Sequence, residues 1–254
     1  MSKLRDRIRD ISRRRPQAFG FAAMRATEPT SSRQVLVVAR VDGAQQAAAA
    51  VADGADAILH TGALSHLAEV VAAAGSAVVG ANVDAATAAD VAAIREAGAH
   101  FLVCTDDQTE AAALLDQQIG YILVAPTTAT PALSDTDHDA RLRSFRALDL
   151  DGVLVGGLPQ TMTVRQQLQA RRLGELARKP LFVALASAVS AATLELWRDA
   201  GVVAVVADAA VTAELATAAD AVPAPRRANT GDRAEAIVPA APSGSALDDD
   251  EDDD

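Results

Sequence analysis

Apolar runs recur eight times along this chain, at 35–41, 55–60, 76–83, 99–104, 120–125, 152–156, 181–186 and 202–207, each followed by a stretch of helical composition. The runs VLVVARV, ADAILH, SAVVGANV, AHFLVC, GYILVA, GVLVG, LFVALA and VVAVVA carry apolar side chains on both alternating faces. A strand of that kind must be covered on both sides, as in a parallel sheet wrapped by helices. The intervening segments, 43–53, 63–74, 85–97, 108–118, 138–148, 163–178, 190–200 and 210–221, are rich in alanine, the best helix former and small enough for close packing on a sheet. Gly54, Gly75, Gly98 and Gly201 stand where such helices would end before the next strand. The phrases AAAVADGADAILH, VAAIREAGAHFLVC and LELWRDAGVVAVVAD read as copies of one βα unit. The pattern predicts an α/β protein of the (β/α)8, or TIM, barrel type. A doubly wound open sheet is the alternative, disfavoured because eight evenly spaced units exceed what most open sheets use.

The flanks differ from the repeating part and suggest a division at 1–34, 35–222 and 223–254. In the first segment Leu4, Ile8 and Ile11 fall on one side of a short basic helix, expected to plug the barrel floor, and FGFAAM at 19–24 adds a strand or packs beneath it. From Pro223 the chain turns to Pro, Ala, Ser and charge without period, the composition of a disordered tail. The net charge of −11 is concentrated there: the last seven residues, DDDEDDD, leave −4 for the rest of the chain. Residues 1–15 hold one lysine and six arginines against Asp6 and Asp10. Two oppositely charged ends are either solvating or handles for a protein partner or a second copy.

The only cysteine, Cys104, has no partner for an intrachain disulfide, which fits a reducing compartment. The N-terminus lacks the apolar core of a secretory signal, and no apolar run approaches the ~20 residues that cross a bilayer. A cytoplasmic protein is expected.

A barrel of this kind binds ligands at the carboxyl ends of its strands. The polar residues there, Arg40, His60, Asn82, Asp106, Thr127, Gln160, Ser187 and Asp208, are expected to converge on one mouth. In a functional reading His60 is a proton carrier and Asp106 or Asp208 a base or metal ligand, so His60 and Asp106 are the catalytic candidates, and Arg40, Asn82, Thr127, Gln160, Ser187 and Asp208 bind ligand, with Arg40 an anion anchor. In a purely structural reading Thr61, Asp84, Asp106, Asp107 and Ser190 cap helix N-termini, and Arg40 pairs with Asp42 or Asp208 at the rim. The longest of these loops follow the fifth and sixth strands, at 125–137 and 156–163. His100 and Lys179 fall at the floor, where polar residues serve stability. His66 and His138 read as surface positions, and Cys104 as a buried small hydrophobe.

Several chemistries are excluded. The two lysines, Lys3 and Lys179, do not reach the mouth, so Schiff-base catalysis has no amine. No histidine pattern for a binuclear metal centre and no P-loop are present, and no metal site is assigned. Seven scattered aromatics offer no stacking platform for nucleic acid.

The repeated A-x-x-x-G-A phrase before a hydrophobic run resembles the phosphate-binding (β/α)8 barrels, flavin-dependent and sugar-phosphate enzymes among them, over residues 35–222. VVGANV at 78–83 is similar to a third-strand phrase of nitronate-oxidising barrels. The resemblance implies the fold and a phosphate held by glycine-bearing turns after strands 7 and 8. Here the matching stretches, ALASAVSAATL and VVADAAV, have no glycine, and Asp208 sets a negative charge at the phosphate's edge, so no cofactor is assigned. Two functions stay open: a small-molecule enzyme (lyase, isomerase or flavin-type oxidoreductase) working at the mouth, or a catalytically silent barrel used for binding or assembly through its charged ends.

Overall fold

The computed structural model describes residues 2–12, 33–125, 135–156 and 158–225. After a first helix, α1 (Lys3–Ser12), eight parallel strands close into a barrel in chain order. They are β1 (Leu36–Val41), β2 (Ala57–His60), β3 (Val78–Asn82), β4 (Phe101–Thr105), β5 (Gly120–Val124), β6 (Gly152–Gly156), β7 (Leu181–Ala184) and β8 (Val202–Asp208). Around them lie α2 (Ala44–Ala52), α3 (Leu67–Ala74), α4 (Ala88–Glu96), α5 (Asp135–Ser144), α6 (Val164–Ala177), α7 (Ala191–Asp199) and α8 (Thr212–Asp220). The predicted (β/α)8 barrel is the fold. Contacts group Met1–Ala224 as one compact unit; of the second, Pro225–Asp254, only Pro225 is among the described residues. FGFAAM and the acidic tail lie outside the described residues.

The strands are buried on both faces because two cores meet in them. Outward side chains such as Val37, Ile58, Leu102, Leu123 and Val183 pack against the helices. Inward ones, among them Leu36, Val38, Leu59, Val103, Ile122 and Val206, fill the barrel. Phe101 and Phe182 are the bulkiest of the interior, and glycine makes room for each. A Cβ on Gly80 would lie 2.4 Å from the Phe101 ring, and one on Gly152 2.4 Å from that of Phe182. The helix-ending glycines 54, 75, 98 and 201 all adopt positive φ, as a left-handed stop requires.

The floor is closed by α1. Leu4 and Ile8 are buried in the same cluster as Leu36, Phe101 and Phe182, with Ile11 partly buried against it. The arginines between them are engaged by the barrel: Arg5 Nε donates to Asp151 Oδ1 at 2.7 Å, and Arg7 Nη2 to Asp56 Oδ1 at 2.9 Å. Arg33 also grips Asp56, at 2.7 Å, together with Asp220. His100 and Lys179 stand at this end as expected. His100 Nδ1 accepts from the Val79 N–H at 3.1 Å, and burial, then the charge of Lys3, lowers its pKa. Lys179 Nζ donates to the Leu148 carbonyl at 2.6 Å.

One expected helix is missing. The segment 108–118 forms only a 3-10 stretch, Ala111–Leu115. The residues before it are used in a turn in which the Thr109 N–H bonds to Thr105 and the Glu110 N–H to Ala86. The carbonyls of Ala113 and Asp116 are taken by the Tyr121 hydroxyl, at 2.7 and 3.0 Å. Burial, then Asp116, pushes the Tyr121 pKa up to about 12.

Candidate active site

The strand register builds the base of the mouth. Arg40 pairs with Leu59 and Leu59 with Gly80, and two residues further along β3 stands Asn82. The same step, two strands round and two residues up, leads from Asn82 to Val124, from Val124 to Ala184, and from Ala184 back to Arg40. Four such steps give the stagger of eight residues that defines this barrel type. Arg40, Asn82, Val124 and Ala184 therefore form one inner ring, and all four are half-buried. Leu59, Val103, Leu154 and Val206 seal the barrel beneath it. By the same alternation Thr61, Thr105, Gly156 and Asp208 form the rim above.

Arg40 is the cation of this ring. Its Nη2 donates to the Leu185 carbonyl at 3.1 Å. Its Nε lies 3.1 Å from Asp208 Oδ1, yet that buried N–H is not aligned with any acceptor among the described residues. The pairing of Arg40 with Asp208 follows from register, since the two are partners across β1 and β8. Beside them Thr61 Oγ1 donates to Asp42 Oδ1 at 2.7 Å. Arg40, Asp42, Gln46, Thr61 and Asp208 line a cleft of about 590 Å³. Asn82 is lightly held, with Nδ2 3.5 Å from Asp84 Oδ1.

The other candidates divide. Gln160 Nε2 donates to Ser187 Oγ at 2.7 Å and the Gln160 backbone carbonyl accepts from Thr193 Oγ1 at 3.1 Å, so the loops after β6 and β7 are fastened together. Thr127 lies outside the described residues. His60 is fully buried on the same side of β2 as Ile58, within the strand–helix layer. Its Nε2 lies 3.0 Å from the Ala63 carbonyl, and Nδ1 has no partner among the described residues. Asp106 is gripped by Arg141 of α5 through Nε at 2.6 Å and through Nη2. That hydrogen bond, opposed by burial, raises the Arg141 pKa. The structure thus brings Arg40, Asn82 and Asp208 together and sets His60 and Asp106 apart from them.

Of the expected N-caps, Ser190 is one, accepting from the Thr193 N–H at 3.2 Å. The others are not. The cap of α4 is Thr87, in a capping box with Asp90, rather than Asp84. Ala63 precedes the 3-10 turn Leu64–His66, where Thr61 was expected to cap, and Glu110 rather than Asp106 or Asp107 precedes Ala111–Leu115. Thr105 at the rim and Arg141 behind Asp106 escape sequence reasoning. Thr105 had one usable signal, its place two residues beyond the inward Val103.

A second cleft, of about 530 Å³, lies on the outer wall between α4 and Ala111–Leu115, lined by Ala88, Val91, Arg95, Leu115 and Asp116. Its charges are spent on each other, since Arg95 Nη1 meets Asp116 Oδ2 at 2.6 Å. The mouth differs in keeping a buried Arg40 N–H without an aligned acceptor among the described residues. Among the described residues no three His, Cys, Asp or Glu side chains are grouped to hold a metal ion, and no helix is long and apolar enough to cross a membrane.

The fold is that of a (β/α)8 barrel with its mouth at the carboxyl ends of the strands. Solved structures agree. A Burkholderia cenocepacia protein described as a phosphonomutase superposes with a TM-score of 0.55 at 16% identity, over 69% of this chain and 86% of that one. Xanthomonas albilineans dihydropteroate synthase gives 0.54 at 17%, over 74% and 93%. Orotidine 5'-phosphate decarboxylase from Pyrococcus horikoshii gives 0.56 at 14%, over 73% and 97%. No protein-family model and no curated protein matches the sequence.

Proposed function

We infer that this protein is a small-molecule enzyme of the lyase or isomerase class whose substrate is an organic anion held in the barrel mouth. The observation that carries this reading is the Arg40 guanidinium standing in the inner ring with a buried N–H that lacks an aligned acceptor among the described residues. Barrels of this type place their chemistry at the carboxyl ends of the strands, and the similar structures named above are of enzymes. Asn82 supplies an orienting amide. Asp208, 65% exposed beside Arg40, is the carboxylate placed to exchange a proton with an anchored substrate. Gln160 and Ser187 frame the mouth, while His60 and Asp106 support it from behind, one inside the turn after β2 and the other fastening α5.

The test is a thermal-shift screen of small organic anions on the purified full chain and on Arg40→Ala. A compound that stabilises the native protein should bind the variant about tenfold or more weakly, the loss expected for one charge-assisted hydrogen bond. Ligands that shift both proteins equally would place binding elsewhere and defeat the reading.

A further inference from the structure

Arg40 is anchored on one side only. Nη2 is spent on the Leu185 carbonyl, and the buried Nε has as its nearest anion Asp208 Oδ1, 3.1 Å away and out of line with the N–H. A buried donor in that state demands an oxygen in line with it. Resting on the reading of the mouth as a ligand site, we propose that the ligand is a small monocarboxylate and that Asp208 is its built-in stand-in, displaced from Arg40 when the ligand arrives.

Three features set the class. The group already beside Arg40 is a carboxylate, and the edge of a guanidinium matches the two oxygens of such a group. Asp42 and Asp208 flank Arg40, the one cation lining the cleft among the described residues, so each further negative charge on a ligand is penalised and a monoanion is favoured over a dianion. The turn after β8, Ala209–Val211, is a 3-10 turn without glycine, so side chains stand where a phosphate cradle needs bare backbone. Val124 and Ala184 complete the ring with apolar side chains, and the lightly held Asn82 amide of the same ring is the group to offer a hydrogen bond to one further oxygen. Exchange is easy because an ion pair with one partner as exposed as Asp208 is weak. Once displaced, Asp208 lies next to the ligand it has released Arg40 to bind.

The experiment titrates the 15N-labelled full chain with glycolate, acetate and inorganic phosphate, following the Arg40 Nε–H resonance, assigned by its loss in Arg40→Lys. Glycolate is expected to move this resonance and to bind Asp208→Asn at least about threefold more tightly than the native protein. Asn82→Ala is expected to erase the preference for glycolate over acetate. Unchanged or weaker glycolate binding in Asp208→Asn, tighter binding of phosphate than of glycolate, or an unmoved resonance overturns the proposal. If the thermal-shift screen meanwhile yields an Arg40-dependent ligand of another class, the mouth stands as a ligand site and only the monocarboxylate assignment fails. Ligands indifferent to Arg40 overturn both.

Discussion

Gly80 shows how little slack the barrel interior has. The Phe101 ring occupies the space where any Cβ on Gly80 would fall, and the ring belongs to a fully buried residue that cannot swing out to solvent. Gly80→Ala should therefore cost about 1–3 kcal/mol, read from urea unfolding, and Phe101→Leu should recover part of that loss in the double variant. Equal losses in the presence and absence of Phe101 would mean that the glycine matters for another reason. Individual residues were also where the sequence spoke least clearly. Arg40, Asn82 and Asp208 could be placed at strand ends, but ADAILH is apolar on both faces, so its alternation did not reveal that His60 points toward the helices. The engagement of Asp106 depends on Arg141, 35 residues away, and no local pattern encodes that distance.

Among the elements, helices and strands were legible because the period changes eight times and glycine marks the joints. The exception, Ala111–Leu115, fails as an α-helix because its flanking carbonyls and amides are claimed by Tyr121, Thr105 and Ala86. Composition cannot foresee tertiary claims of that kind. A second irregularity is Arg178, which ends α6 in the left-handed region at φ 51°, where the stops of α2, α3, α4 and α7 use glycine. Its backbone N–H bonds to Gly174, and its side chain is exposed. Arg178→Gly is expected to stabilise the protein by about 1 kcal/mol, seen as a higher urea midpoint with unchanged slope. A lower midpoint would mean that the arginine side chain contributes more than its backbone costs.

For the molecule as a whole, the first helix matters as much as any strand. Leu4 is completely buried at the bottom of the barrel, and truncating it should cost about 2–5 kcal/mol, in the range of other buried leucines. Thermal unfolding of Leu4→Ala measures this, and a loss below about 1 kcal/mol would show that α1 is an ornament of the floor rather than part of its core. Its apolar stripe was legible in the sequence, whereas its ion pairs to Asp151 and Asp56 join parts of the chain that only the closed barrel brings together. With Leu4 and Ile8 stopping one end and tight layers of side chains filling the bore, the barrel interior among the described residues opens only at the carboxyl ends of its strands. A ligand of the proposed site, entering between Arg40 and Asn82, must back out by the same way before the next can come in, so traffic through that opening would set an upper bound on how fast the site is reused.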